Sequence, residues 1–137
     1  MGFSSTVGTI IVLSTLLVCA IYLYTSLDTN ISKVYKAYAD YIELENKKLR
    51  ERLEIIAVSV DTSTNTINIT VKNNGSVILE PSKWTVLYNG TPVNFSVDPD
   101  VKYLFPLNSI TVSINATTPA KLCIVSEYGN KYYYNVY

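Results

Sequence analysis

The segment VGTIIVLSTLLVCAIYLYTSL, residues 7–27, determines the architecture of this chain of 137 residues. It is almost wholly apolar, and no charged side chain occurs anywhere in residues 1–27. As a helix rising about 1.5 Å per residue, residues 7–27 reach roughly 30 Å, the thickness of the hydrocarbon core of a bilayer. We therefore predict a helix that is inserted in a membrane or packed into a filament by the same apolar surface.

Residues 1–27 differ from a cleaved secretory signal peptide. Such a signal has a basic segment before its apolar stretch and a cleavage site of small residues after it. No Lys or Arg precedes Val7, and no Ala-x-Ala pattern follows Leu27. We therefore expect residues 1–27 to be a retained anchor helix, which places the rest of the chain on one side of the membrane.

Residues 28–54 are predicted to continue as an amphipathic helical extension. No Gly or Pro occurs in this segment, so we expect one helix from about Ser4 to Leu53. Charged residues, Glu51 among them, are expected on the solvated faces of the helix. Apolar and aromatic side chains recur at intervals of three, four and seven residues, the spacing of one stripe. The stripe consists of Ile31, Tyr35, Tyr38, Ile42, Leu49 and Leu53.

This stripe requires a cover, either from the chain's own β domain or from a second helix. The stripe is long and the β domain is small, which favours self-association or a partner helix. The candidate self-association residues are Tyr35, Tyr38, Ile42 and Leu49.

From Ile55 onward the apolar residues recur with a period of two, which is typical of half-buried strands. Asn89-Gly90 has the composition of a tight type I′ hairpin turn, and Trp84 is the expected core aromatic. We predict an α+β fold in which residues 55–137 form an immunoglobulin-like β-sandwich. Strands are expected at 55–60, 67–71, 84–88, 92–97, 101–105, 110–114, 122–126 and 132–137.

Six Asn-x-Ser/Thr sequons indicate exposure outside the cytoplasm, where N-glycosylation takes place. Five of the six lie in the β domain, on predicted turns or outward strand positions. Lysines follow the apolar segment, which on the positive-inside rule would favour the cytoplasm, but acidic residues are interleaved with them. The candidate glycosylation sites are Asn30, Asn68, Asn74, Asn89, Asn94 and Asn115.

The composition argues against catalysis, cofactors and nucleic acid. The chain has no histidine, which removes the commonest general base and metal ligand. We expect no catalytic residue, metal site or cofactor, since Asp98 and Asp100 alone supply too few oxygen ligands for calcium. Lys plus Arg and Asp plus Glu both total 11, so no net charge attracts nucleic acid. Cys19 and Cys123 are expected in different media and therefore unpaired.

A cluster of tyrosines near the C-terminus is the most suggestive surface feature. In a strand Tyr132 and Tyr134 share one face and Tyr133 takes the other, so at least one side chain points outward. These three residues form a candidate partner surface. The alternative is an edge strand that shields the core.

Several segments resemble the archaellum (archaeal flagellum) accessory proteins of the FlaF/FlaG family, and FlaF more closely. They are the N-terminus MGFSS leading into an uncharged span, VKNNGS at 71–76, VLYNG at 86–90, YLFP at 103–106, and residues 119–129. The resemblance implies a membrane-anchored sandwich outside the cytoplasmic membrane that self-associates and contacts the S-layer. Archaellins and archaeal type IV pilins are similar more distantly, but this chain lacks the basic residues and glycine before the span, and the early acidic residue, that are usual in them.

These observations lead to two hypotheses. The first is a non-enzymatic, stator-like anchor, with its sandwich in the pseudoperiplasm facing the S-layer. Its expected partners are the membrane, an S-layer protein, further copies of itself and FlaG-like archaellum subunits. The second is a structural subunit of an extracellular archaellum or pilus-like filament, with residues 7–27 buried in the filament core.

Overall fold

The computed structural model describes residues 2–137; Met1, the first residue of the expected anchor, lies outside them. Within these residues the chain forms one long α-helix, α1, and eight β-strands. It consists of two compact units, the first ending at Glu43 and the second comprising Leu44–Tyr137. The expected α+β fold is confirmed. The elements are α1 (Gly2–Arg50), β1 (Leu53–Asp61), β2 (Thr66–Asn73), β3 (Thr85–Tyr88), β4 (Thr91–Val93), β5 (Phe95–Asp98), β6 (Ser109–Asn115), β7 (Ala120–Val125) and β8 (Lys131–Val136).

The strands form two antiparallel sheets of four strands each. One sheet has the order β1-β2-β6-β5, and the other has the order β4-β3-β7-β8. The chain crosses from the second sheet to the first at Asn94, the single residue between β4 and β5. The edge strands are therefore β1 and β5 in one sheet and β4 and β8 in the other.

The alternating apolar residues build the core between the two sheets. Every second residue of β2 is buried, and Ile67, Ile69 and Val71 have no exposed surface. The neighbouring strand β6 repeats the pattern, because its register places Val112 opposite Ile69. Trp84 is 4% exposed and belongs to the core, as expected.

The hairpin predicted at Asn89-Gly90 joins β3 to β4. Asn89 has φ of 50° and Gly90 has φ of 87°, so both central residues adopt the positive φ that a type I′ turn requires. The sequence pattern at this turn predicted its conformation correctly.

Three boundaries differ from the expectations. The helix ends at Arg50, and Leu53 begins β1, where it is buried opposite Asn73 instead of continuing the helical stripe. The strand expected at 92–97 is divided by Asn94 between the two sheets. The segment expected as a strand at 101–105 forms only one bridge, between Leu104 and Leu79.

Candidate functional site

The N-terminal part of α1 exposes a continuous apolar surface. The helix contains no buried residue, and an 18-residue window within it has a mean hydropathy of 2.3. By length and composition it is the candidate membrane span of the described chain, near the N-terminus. A cylinder of Ile, Leu and Val with no protein cover requires lipid or other helices around it.

The hydroxyl groups within this apolar surface are satisfied by the helix itself. Ser14 donates to the carbonyl oxygen of Ile10 at 2.8 Å, and Thr15 donates to that of Ile11 at 2.7 Å. Thr25 bonds to the carbonyl oxygen of Ile21 at 3.0 Å in the same manner. These hydroxyls therefore present no unpaired donor to an apolar surrounding, which is the condition for polar side chains in lipid.

The four candidate self-association residues are all exposed on α1. The exposed fraction of the side chain is 71% for Tyr35, 63% for Tyr38, 41% for Ile42 and 79% for Leu49. Leu53, the expected last member of the stripe, lies in the sandwich core and is not available. The stripe on the helix therefore ends at Leu49.

The second unit, Leu44–Tyr137, contains the last turns of α1 together with the sandwich, and Glu51 joins them. Glu51 is 6% exposed and directly follows the helix. Its carboxylate accepts a hydrogen bond from the Ser126 hydroxyl at 2.8 Å and one from the Tyr132 hydroxyl at 3.2 Å. Burial raises the pKa of the Glu51 carboxyl, an effect that these two hydroxyl donors partly offset and that the charge of Glu127 adds to.

Further hydrogen bonds hold the end of α1 to the loops of the sandwich. The Asn130 amide donates to the carbonyl oxygen of Lys48 at 2.8 Å. The Ser76 backbone N–H donates to the carbonyl oxygen of Arg50 at 3.2 Å, and the Arg50 guanidinium returns a bond to the Ser76 hydroxyl at 3.1 Å. The Asn74 backbone N–H donates to the carbonyl oxygen of Arg52 at 2.8 Å. The last helical carbonyls, which lack partners within a helix, are thereby capped by the sandwich.

Gly75 is required at this contact because of its size. A Cβ atom added there would lie 2.6 Å from both the Arg50 carbonyl oxygen and the Arg52 backbone nitrogen. Any other residue at position 75 would therefore push the helix end away from the loop. We call the contact formed by Lys48, Arg50, Glu51, Gly75, Ser76, Ser126, Asn130 and Tyr132 the junction.

The sequence reasoning missed the junction. Glu51 was expected on a solvated helix face and is instead buried beyond the helix end, because its partners lie 75 and 81 residues further along the chain. No local pattern carries contacts of that separation. The available signal was Glu51 itself, a carboxylate two residues before the first strand of a small domain.

The three candidate partner tyrosines lie on β8, an edge strand. Tyr133 is 72% exposed and Tyr134 is 40% exposed, whereas Tyr132 is half-buried and bonded to Glu51. Burial raises the pKa of the Tyr132 hydroxyl. Tyr132 thus serves the junction, and Tyr133 is the most exposed of the three tyrosines.

The six sequon asparagines fall into two groups, three whose side chains form hydrogen bonds and three whose side chains do not. The Asn74 amide donates to the Glu54 carboxylate at 3.2 Å, Asn68 accepts from the Ser113 hydroxyl at 2.7 Å, and Asn89 accepts from a backbone N–H at 2.9 Å. Asn68 is half-buried and the other five are exposed. Among the six, the side chains of Asn30, Asn94 and Asn115 have no hydrogen bond to residues 2–137.

The described residues contain no group of three or more His, Cys, Asp or Glu side chains that could hold a metal ion. Cys19 and Cys123 are both free, with Cys19 exposed on α1 and Cys123 buried in β7.

Sequence comparisons identify the relatives of this chain. The sequence model of the family described as archaeal-type flagellin matches residues 2–136. A flagella-related protein F from Methanocaldococcus jannaschii is 47% identical over an alignment of 140 residues that covers 99% of each chain. A flagella-related protein F from Methanococcus voltae is 41% identical over 136 residues, covering 99% of this chain and 100% of the relative.

Two solved structures share the fold of the sandwich. The archaellum periplasmic stator protein FlaG from Sulfolobus acidocaldarius superposes with a TM-score of 0.54 at 18% identity, covering 63% of this chain and 99% of FlaG. The stator complex of FlaF and FlaG from the same organism gives a TM-score of 0.51 at 20% identity, covering 61% of this chain and 87% of the matched chain. The chain therefore belongs to the archaeal-type flagellin family, and its resemblance to the archaellum proteins FlaF and FlaG is confirmed.

Proposed function

We propose that this protein is a non-enzymatic, stator-like anchor of the archaellum. Residues 1–27 insert in the cytoplasmic membrane, the rest of α1 extends from it to Arg50, and the strands from Leu53 onward form a sandwich in the pseudoperiplasm. The observation that carries the proposal is the uncovered apolar surface of α1, in a chain that is 47% identical to a flagella-related protein. A helix of this composition is stable only when lipid or other helices surround it.

A stator has to resist torque, and a single span in a fluid bilayer offers little resistance. Attachment of the sandwich to a rigid S-layer would supply the reaction force without chemistry. The junction supports this reading, because the buried Glu51 carboxylate and the Gly75 contact fix the last turns of α1 to the sandwich. A load applied to the sandwich would therefore reach the helix without first unfolding a linker.

The proposed partners follow from the exposed surfaces. Tyr35, Tyr38 and Ile42, with Leu49, present an aromatic and aliphatic stripe suited to a second copy of the same helix. Tyr133 on the edge strand β8 is an exposed aromatic of the type that protein interfaces use, and we assign it to the S-layer contact together with Tyr134. The solved complex of FlaF with FlaG supports a FlaG-like subunit as a further partner.

Shearing of cells tests the anchor. After shear, a stator-like anchor stays with the membrane fraction while the archaellin leaves with the filaments. The control is the archaellin itself, followed in the same fractions by immunoblot. Recovery of this chain in the sheared filaments, in constant proportion to archaellin, would reject the anchor.

A second function is favoured by one specific observation. The family that matches residues 2–136 is described as archaeal-type flagellin, which supports a subunit of an archaellum or pilus-like filament. In that case residues 7–27 would be covered by neighbouring helices in the filament core instead of lipid. Electron microscopy of sheared filaments labelled with antibody against this chain would show labelling along their length.

A further inference from the structure

An open groove separates the two sheets on the side of the sandwich opposite β1 and β8, the edge strands next to the junction. It has a volume of about 770 Å³ and lies where β4, the edge of one sheet, passes into β5, the edge of the other. Within residues 2–137 no strand pairs with the outer side of β4 or β5. Two rows of unpaired backbone groups therefore meet at this groove, a situation that favours unwanted strand addition unless something covers it.

Asn94 lies at the point where the chain crosses this groove. It is the single residue between β4 and β5, it is exposed, and it is among the residues that line the groove. With Phe95 and Ser96 it forms a sequon. Its amide is free of hydrogen bonds within the described chain, whereas the Asn74 amide nitrogen, the atom that glycosylation would modify, is bonded to Glu54.

The lining of the groove suits a saccharide. Ser82, Thr85 and Ser96 contribute residues with hydroxyl groups, and Asp100 contributes a carboxylate. Such groups bond well to the many hydroxyls of a sugar, which act as both donors and acceptors. No Lys or Arg is among the lining residues, so the groove is not built for an anion.

Trp84 at the wall of the groove supplies an independent observation. Its indole N–H is buried and has no acceptor among the described residues. A buried donor without a partner is rare in native proteins and indicates a missing acceptor. Trp84 lines the same groove that Asn94 crosses, so an oxygen atom bound in the groove is a suitable partner.

We propose that Asn94 carries an N-linked glycan and that the first sugars of this glycan lie in the groove, where they cover the open edges of β4 and β5. The proposal rests on the proposed location of the sandwich outside the cytoplasm. It assigns to one of the six sequons a structural role, because the glycan would block strand addition at the two edges.

Mass spectrometry of the full chain, produced in an archaeal host that carries out N-glycosylation, tests the modification. We expect a glycopeptide that contains Asn94 and the loss of one glycan mass in Asn94→Gln. The matched control is Asn115→Gln, at an exposed strand end outside the groove, which keeps the Asn94 glycan. An unmodified Asn94 beside another glycosylated sequon overturns the inference and leaves the proposed location standing.

Trp84 fluorescence tests the seating of the glycan in the groove, since Trp84 is the chain's single tryptophan. Ser96→Ala removes the sequon and leaves Asn94 in place, whereas Ser96→Thr preserves the sequon. We expect acrylamide to quench Trp84 more strongly in Ser96→Ala than in the wild type, and Ser96→Thr to match the wild type. Equal quenching in a glycosylated wild type and in Ser96→Ala overturns the seating.

Absence of glycan from every sequon also overturns the inference. In that case the location of the sandwich is judged by cysteine labelling of its turns, which does not depend on glycosylation. The two failures are therefore distinguishable.

Discussion

Glu51 shows how one residue can join a helix to a domain. A buried carboxylate is costly unless hydroxyl or amide donors surround it, and here the Ser126 and Tyr132 hydroxyls do so. Both donors lie in the C-terminal part of the chain, so the contact connects the end of α1 to the last hairpin of the sandwich. Replacement by an apolar residue would leave two hydroxyls without an acceptor.

The raised pKa of Glu51 predicts how the stability of the sandwich depends on pH. The folded chain binds this proton more tightly than the unfolded chain, whose carboxyl keeps its ordinary value of 4.5. The stabilisation is therefore complete below pH 4.5 and is lost as the pH rises through the folded pKa. We expect Glu51→Gln to become more stable relative to the wild type over this rise, as measured by denaturant unfolding followed through Trp84.

The control for this prediction is Glu51→Ala, which removes the acceptor as well as the charge. It should lower the free energy of unfolding by about 1–3 kcal/mol through the unpaired hydroxyls of Ser126 and Tyr132. A difference between the wild type and Glu51→Gln that does not change with pH would contradict the prediction.

Gly75 supports a second prediction at the scale of one residue. Gly75→Ala places a methyl group 2.6 Å from backbone atoms of Arg50 and Arg52, which cannot move as a flexible side chain would. We expect a loss of about 1–3 kcal/mol in the free energy of unfolding, the usual cost of overpacking. Gly8→Ala is the matched control, because its added Cβ meets nothing within 4 Å. Equal stability of the two variants in detergent would argue against a tight contact at the junction.

At the scale of elements, the sequence predicted what depends on local pattern. The alternation of Ile67, Ile69 and Val71 identified β2, and Asn89-Gly90 identified the turn between β3 and β4. The end of the helix could not be predicted in this way. Leu53 fits the helical stripe, but burial in the core and pairing with Asn73 decide its place, and both depend on distant residues.

The strand predicted at 101–105 was wrong for a different reason, which is local. Its apolar residues have strand composition, yet only Leu104 is fully buried, while Val101 is half-buried and Tyr103 and Phe105 remain 41% and 50% exposed. Prolines at positions 99 and 106 restrict the backbone on either side and remove two donors that a ladder would need. The segment therefore forms one bridge instead of a strand.

The helix itself supports a prediction about membrane insertion. The double variant Leu13→Arg/Leu17→Arg places two charges on one face of the proposed span, each costing roughly 3 kcal/mol at the centre of a bilayer. We expect most of this variant to leave the membrane fraction after alkaline extraction. Val34→Arg/Tyr38→Arg, with the same spacing in the extension, should stay in the membrane. Retention of both variants would show that residues 7–27 are not the anchor.

At the scale of the whole molecule, each side of the sandwich brings together one edge strand from each sheet, and the two sides are covered differently. The edges β1 and β8 adjoin the junction, where Tyr132 of β8 bonds to Glu51 next to β1. The edges β4 and β5 border the open groove that Asn94 crosses. The sequence identified the sequons and the tyrosines of these regions. It could not show that Asn94 and the tyrosines of β8 lie on opposite sides of the sandwich, because this depends on the order of strands in the two sheets, which no local pattern encodes.

The proposed anchor makes a direct prediction about topology, which labelling with a membrane-impermeant maleimide on intact spheroplasts tests. Both native cysteines are first replaced by serine. A cysteine is then introduced either at Thr62, in the exposed turn between β1 and β2, or at Ser4, at the N-terminal end of the proposed anchor and before its apolar segment 7–27. We predict that Thr62→Cys is labelled in intact spheroplasts as fully as after lysis, whereas Ser4→Cys is labelled only after lysis. Labelling of Thr62→Cys only after lysis would contradict an anchored sandwich outside the membrane.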